Sequence, residues 1–179
     1  LETMVTAIAH RGPDNKGYWV DESLGLALGH CRLSILELSS SGNQPMTSAC
    51  KRYVIVFNGK IYNHLDLRYE LMSQGKAPAW QGHSDTETLL ACFSAWGIVP
   101  TLRATVGMFA LALWDRQNRV LTLTRDRFGE KPLYYGWQDE TLLFASELKA
   151  LKTYPAFRFE VDRDAITLLL RHNCIPAPY

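Results

Sequence analysis

The chain lacks most of the features that mark a specialised class. No apolar run approaches the roughly 20 residues that a membrane-spanning helix needs, and no signal peptide is visible. Neither sign of charge is in excess: 19 Lys and Arg stand against 18 Asp and Glu, a formal net charge of +1. That removes the electrostatic case for nucleic acid or an anionic membrane as partner. Cysteine is scarce and scattered. Cys31, Cys50, Cys92 and Cys174 form no C-x-x-C pair, which argues against zinc and against a disulfide-built secreted scaffold. Four free thiols suit a reducing compartment, so a cytoplasmic protein is expected. No G-x-x-x-x-G-K-[ST] or G-x-G-x-x-G phosphate loop occurs, and no G-x-S-x-G nucleophile elbow. His10, His30, His64 and His83 show no metal-ligand spacing, and no metal is expected. What remains is an ordinary globular composition, 47% hydrophobic over 179 residues, enough for one domain with a sizeable core.

The most informative stretch is Val54-Ile-Val-Phe-Asn-Gly-Lys-Ile-Tyr-Asn63. Four β-branched or aromatic residues run into Asn58-Gly59, which reads as a strand buried on both faces and ended by a turn dipeptide. An Asn amide and a Gly N–H aimed at one point are the two neutral donors of an oxyanion hole. Most Asn-Gly pairs are plain turns, so the pair alone decides nothing.

Around this stretch, Leu1 to Ala9 carries the i, i+3, i+4, i+7 spacing of a helix whose start lies upstream. His10-Arg-Gly-Pro-Asp14 breaks it into a polar loop. Leu24 to Ile35 predicts one or two strands, and Ser39 to Pro45 is turn chemistry. His64 to Gln74 predicts a helix with Leu65, Leu67, Leu71 and Met72 mostly on one face. Ser84-Asp-Thr-Glu87 is a capping box opening a helix to Trp96, with Gly97 as its stop. Met108 to Asp115, Arg119 to Arg125 and Thr141 to Ser146 predict strands, with turns at Asp115–Asn118 and Gly136–Glu140. Asp162 caps a last helix to about His172, and Cys174 to Pro178 reads as an exit linker. Hairpins with helices early and late favour antiparallel sheets covered by helices, an α+β fold. Arg32, after an apolar strand, suits a ligand carboxylate or a cap on the sheet edge. Asp85 suits a ligand amine or the helix dipole. Arg125-Asp-Arg127 reads as a structural ion-pair cluster. From the residues alone the conclusion is a small-ligand pocket suited to an α-amino acid.

Longer words carry more. His10-Arg-Gly-Pro-Asp14, Leu28-Gly-His-Cys-Arg-Leu-Ser-Ile35, Gln44-Pro-Met46, Phe57-Asn-Gly-Lys-Ile-Tyr-Asn63, Ser84-Asp-Thr-Glu87, Arg125-Asp-Arg-Phe-Gly-Glu-Lys-Pro-Leu-Tyr-Tyr135 and Ala145-Ser-Glu-Leu-Lys-Ala150 recur in this order. With them the chain resembles the glutaminase (class II glutamine amidotransferase) domain of glutamine-hydrolysing asparagine synthetases. The resemblance implies a four-layer αββα sandwich of two antiparallel sheets, of the N-terminal-nucleophile hydrolase type. It implies attack of a thiol on the glutamine side-chain amide, giving a thioester, ammonia and glutamate. Arg32 would hold the substrate carboxylate, with Leu33, Ser34, Ile35 and Leu36 lining the pocket and Asp85 on the ammonium. Asn58 and Gly59 would form the oxyanion hole, with Lys60 beside them. Residues 1–160 would be the glutaminase domain, and 161–179 a helix and linker towards a synthetase domain in cis. That domain would use ATP and magnesium; this one would need no cofactor.

Two departures accompany the resemblance. The family nucleophile is an N-terminal cysteine followed by a short buried strand, whereas residue 1 here is Leu and no cysteine stands at a matching place. The chain as given is therefore expected to be inactive, less stable than an extended form, and prone to pair as a homodimer through exposed sheet edge. The family also carries an acid after Asn-Gly, where this chain has Lys60. The alternatives are a non-catalytic glutamine-binding or assembly module and, less in keeping with the spacing, a metal hydrolase built on the histidines.

Overall fold

The computed structural model describes residues 1–34 and 39–176. The two most apolar stretches become its central strands. β4 (Tyr53–Ile61) and β5 (Gly107–Asp115) pair antiparallel along their whole length, with Asn58 opposite Ala110 and Gly59 opposite Phe109. β6 (Val120–Arg125) extends the sheet beyond β5, and short β3 (Met46–Thr47) lies on the other edge against Val54 and Ile55.

Alternation along a strand sends successive side chains to opposite faces, and here both faces are covered. Tyr53, Ile55, Phe57 and Ile61, with Phe109, Leu111 and Leu113, meet helices α2 (His64–Ser73) and α3 (Asp85–Trp96). Val54, Val56, Ala112 and Trp114 turn the other way, towards a second β layer. That layer is two antiparallel ribbons: β1 (Asn15–Asp21) with β2 (Leu26–Arg32), and β7 (Tyr134–Gln138) with β8 (Thr141–Ala145). Its outer side carries α1 (Glu2–Ala7) and the short α5 (Leu148–Leu151), which pack on each other and on β2 and β8 respectively. The order helix, sheet, sheet, helix is the expected α+β sandwich. The two ribbons leave between the layers a cavity of about 570 Å³, bordered by α1, β2, β4, β5 and β8.

Several local expectations need correction. β4 does not end at Asn58-Gly59 but runs through both to Ile61. In α2, Leu67 and Leu71 are buried, whereas Leu65 and Met72 face solvent. Ser84 Oγ accepts the Glu87 N–H (3.2 Å), but the Glu87 carboxylate serves Gln81 N–H (2.6 Å) and Gly82 N–H (3.1 Å) instead of returning to Ser84. Gly97 does stop α3, with φ at 84°. The second hairpin joins β7 to β8 through Asp139 and Glu140, inside the stretch read as a turn. β1, β3, β7, α4 (Ile98–Ala104) and α5 went unpredicted. The last helix, α6 (Arg163–His172), has its Asp162 cap, with Asp162 Oδ1 accepting from Asp164 and Ala165 N–H. The final linker residues 177–179 lie outside the described residues. No helix among the described residues is long and apolar enough to cross a membrane.

Candidate active site at the free edge of β4

In an antiparallel pair the backbone groups of successive residues point alternately to the partner and away from it. Phe109 gives its N–H to the Asp126 carboxylate (3.2 Å) and takes the Asp126 N–H on its carbonyl (2.7 Å), both on the β6 side. Its partner Gly59 therefore belongs to a non-hydrogen-bonded pair, and its N–H points out from the far edge of β4. β3 covers that edge only at Val54 and Ile55. Side chains take over beyond it. Phe57 N–H donates to Gln44 Oε1 (2.6 Å), and the Phe57 carbonyl accepts from Gln44 Nε2 and His30 Nε2, both at 3.1 Å. Ile61 N–H donates to Asp85 Oδ2 at 2.9 Å. Between these two capped positions the Gly59 N–H is left open.

Asn58 adds a second unspent donor: its Nδ2 is buried without a hydrogen-bond partner, and the residue borders the inter-layer cavity. Gly59 owes its identity to the neighbouring strand, since a Cβ there would run into the Met108 carbonyl and the Phe109 backbone. A turn conformation plays no part.

Of the remaining sequence candidates, Asp85 bonds β4 directly, and Arg32 follows His30, which bonds the Phe57 carbonyl, by two residues. Arg32 ends β2, nearly buried, and its Nη1 donates to Ser39 C=O (2.9 Å) and Asn43 Oδ1 (2.6 Å), so it organises the loop that follows. Leu33 is exposed, and Ser34 N–H donates to Asp14 Oδ2 (2.7 Å), which is where the His10–Asp14 loop ties in. Ile35 and Leu36 lie outside the described residues. Asp85 opens α3, and burial raises its carboxyl above the usual range despite the Ile61 N–H. It grips β4 two residues past Gly59, about 7 Å along the strand. Lys60 is half-buried, and alternation places its side chain opposite Ile61, which packs against the helices. Lys60 and Asp85 thus approach β4 from different sides.

Two residues of this edge escaped the sequence reading as site residues. Gln44 braces the strand from a segment that reads as turn. His30, weighed as a metal ligand, is half-buried and donates from Nε2, which leaves its buried Nδ1 as an acceptor without a partner among the described residues; burial pushes its pKa down to about 4, so it is neutral. Of the other histidines, His10 pairs with Glu147 (3.0 Å) and His64 with the Ile61 carbonyl (3.0 Å). Arg125-Asp-Arg127 is no ion-pair cluster. Asp126 instead accepts from the N–H groups of Phe109, Phe128, Glu130 and Lys131; these overcome its burial and hold its pKa at about 2.

Cys31 borders the same cavity as Asn58, but its thiol is directed away from the Asn58-Gly59 donors. Leu28 and His30 turn to β4, so Cys31, of opposite parity in β2, turns to α1, where its thiol donates to Val5 C=O (3.2 Å). Burial pushes the Cys31 thiol up, and that of Cys92, fully buried in the helix-side core, to about 12. Cys50 precedes β4 at its other end, and Cys174 follows α6.

A family profile described as a glutamine amidotransferase domain matches residues 1–179. The chain belongs to this family. As a glutamine amidotransferase domain it is 38% identical over 178 residues to asparagine synthetase [glutamine-hydrolyzing] 1 of Bacillus subtilis, covering 99% of the chain and 27% of that protein. It is 31% identical over 197 aligned residues to the putative asparagine synthetase [glutamine-hydrolyzing] 2 of Methanocaldococcus jannaschii, covering 100% of the chain and 37% of the relative. The amidase chry2 of Gibberella zeae is 38% identical over 156 residues, or 86% of the chain and 22% of the relative. The chain thus spans between about a fifth and two fifths of the length of these relatives.

Proposed function

We propose that the free edge of β4 is the oxyanion hole of a glutaminase site. In this reading a thiol attacks the side-chain amide of glutamine, ammonia leaves, and water resolves the thioester to glutamate. The observation that carries the proposal is the pair of unspent donors on adjacent residues, Asn58 Nδ2 and Gly59 N–H, between positions Phe57 and Ile61 whose N–H groups on the same edge are bonded. Such donors stabilise the charge that develops on the carbonyl oxygen. Arg32 would exchange its loop contacts for the substrate carboxylate, with the Arg32–Leu36 backbone as the pocket wall. Asp85, ionised, would take the ammonium. Lys60 would stand at the rim.

The thiol, in this proposal, is none of the four cysteines. It would enter on a strand ahead of Leu1, in the cavity that Asn58 borders and that the two ribbons leave open. The 179 residues alone would then be inactive. Residues 1–160 would be the glutaminase unit and 161–179 the lead into an ATP-dependent synthetase domain, whose acceptor is aspartate or a related acid. The greater length of the relatives and the absence of buried residues in α6 support that division. ATP and magnesium would belong to the synthetase domain, and this domain would use no cofactor. The cytoplasm and a homodimer remain proposals of the same kind.

Ammonia release from glutamine tests the reading, comparing this chain with one extended upstream. Activity confined to the extended chain is expected. Activity in the 179 residues would assign the chemistry to an internal cysteine, and silence in both would favour a glutamine-binding or assembly module.

A further inference from the structure

The opposite end of the central sheet carries a second pocket, of about 450 Å³, unrelated to the Asn58-Gly59 edge. Lys51 and Arg52 enter it from the turn before β4, and Arg116 and Arg119 from the β5–β6 turn. Arg52 is already matched by Asp115, through Nε–Oδ1 (3.0 Å) and Nη2–Oδ2 (2.7 Å). Arg116 Nη1 donates to the Lys51 carbonyl (3.1 Å) and ties the two turns together. The Lys51 ammonium and the Arg119 guanidinium have no acceptor among the described residues. Both residues hold left-handed backbone, φ 59° and 54°, which non-glycine residues adopt at a cost and which fixes where their side chains start. Asp21 is the carboxylate of the lining. Set against the four cations, Asp21 and Asp115 leave two positive charges unbalanced, in a chain whose whole net charge is +1.

A single carboxylate would leave part of this arrangement unused. A group with several charged oxygens would engage the Lys point charge and two Arg forks together. We propose that this pocket binds a small phosphate-bearing polyanion, pyrophosphate or the phosphate tail of a nucleotide, through Lys51, Arg116 and Arg119. Cys50 supplies a reporter on the same wall. It is exposed; partial burial opposes its thiolate, but the Ser48 and Ser94 hydroxyls (3.3 and 3.4 Å) and backbone N–H groups prevail, and its pKa lies below the ordinary thiol value.

The test titrates the 179-residue chain with pyrophosphate and with ATP in metal-free buffer, and repeats both on K51Q/R119Q. Both residues are exposed, so the fold should not suffer. Binding is expected to weaken about tenfold or more in the double variant and to weaken with added salt. Pyrophosphate should slow iodoacetate alkylation of Cys50 and leave exposed Cys174 unaffected. Equal affinity for the two ligands would mean that phosphates alone are read; tighter ATP would mean that the nucleoside adds contacts. No binding of either ligand, binding unchanged in K51Q/R119Q, or equal protection of both cysteines would overturn the proposal.

Discussion

Asn58 carries a buried amide nitrogen that donates to nothing among the described residues. A stranded donor of that kind costs about 1–3 kcal/mol, and folding alone gives no reason to keep it. Asn58→Ala should therefore leave the melting temperature unchanged or raise it, although a buried side chain has been shortened. The neighbouring glycine has the opposite character. Gly59→Ala pushes a methyl group into the Met108 carbonyl across the pair, and should cost about 1–3 kcal/mol in urea unfolding. Lys60 bears on affinity. If it stays at the rim, Lys60→Glu in a turnover-competent, extended chain should change glutamine affinity less than about tenfold, or 1.4 kcal/mol. A larger gain would show that the ammonium intrudes on the substrate. At this scale the sequence was informative about chemistry and silent about cause. Asn58-Gly59 reads as two donors from sequence, but that Gly59 is needed for cross-strand closeness depends on Met108, far away in the chain.

Among the elements, the turn after β6 shows how a single carboxylate can set a loop. Asp126 accepts four backbone N–H groups and keeps its proton off down to about pH 2. Asp126→Ala should cost on the order of 3 kcal/mol and detach the 126–131 turn from β5, visible as faster amide exchange at Phe109 and Glu130. What could be read from sequence divided along similar lines. Long apolar strands and the capped helices α3 and α6 were legible, because their signals are local. β1 was not, since Tyr18 and Val20 face solvent and its strand character comes from pairing with β2. β7 hides behind Gly136, and α4 behind Pro100, which is tolerated because it sits in the first turn. Asp126 reads as half of an ion pair because its partners are backbone groups, which a sequence does not display.

For the molecule as a whole, the layer order was legible from hairpins and helix placement, while the cavity between layers and the gathering of Gln44, His30 and Asp85 on one edge were not. That gathering makes acid stability predictable. His30 has its folded pKa depressed from 6.5 to about 4, so the unfolded chain binds the extra proton first as pH falls. The stability it secures is present above pH 6.5 and is lost progressively down to about 4, up to about 3 kcal/mol. Asp126 acts lower: its contribution is present above its ordinary 3.8 and is lost as pH falls towards 2. Denaturant unfolding against pH should show both windows, and His30→Gln should flatten only the upper one.

The central claim is that Asn58 and Gly59 are left unbonded in order to receive an oxyanion. Its most direct measurement is glutamine turnover by Asn58→Ala in the extended, active chain. The account predicts a fall in kcat of about a hundredfold to a thousandfold, with KM little changed and thermal stability intact. A fall of less than about tenfold, or a loss confined to KM, would show that the free edge of β4 binds substrate without stabilising the transition state.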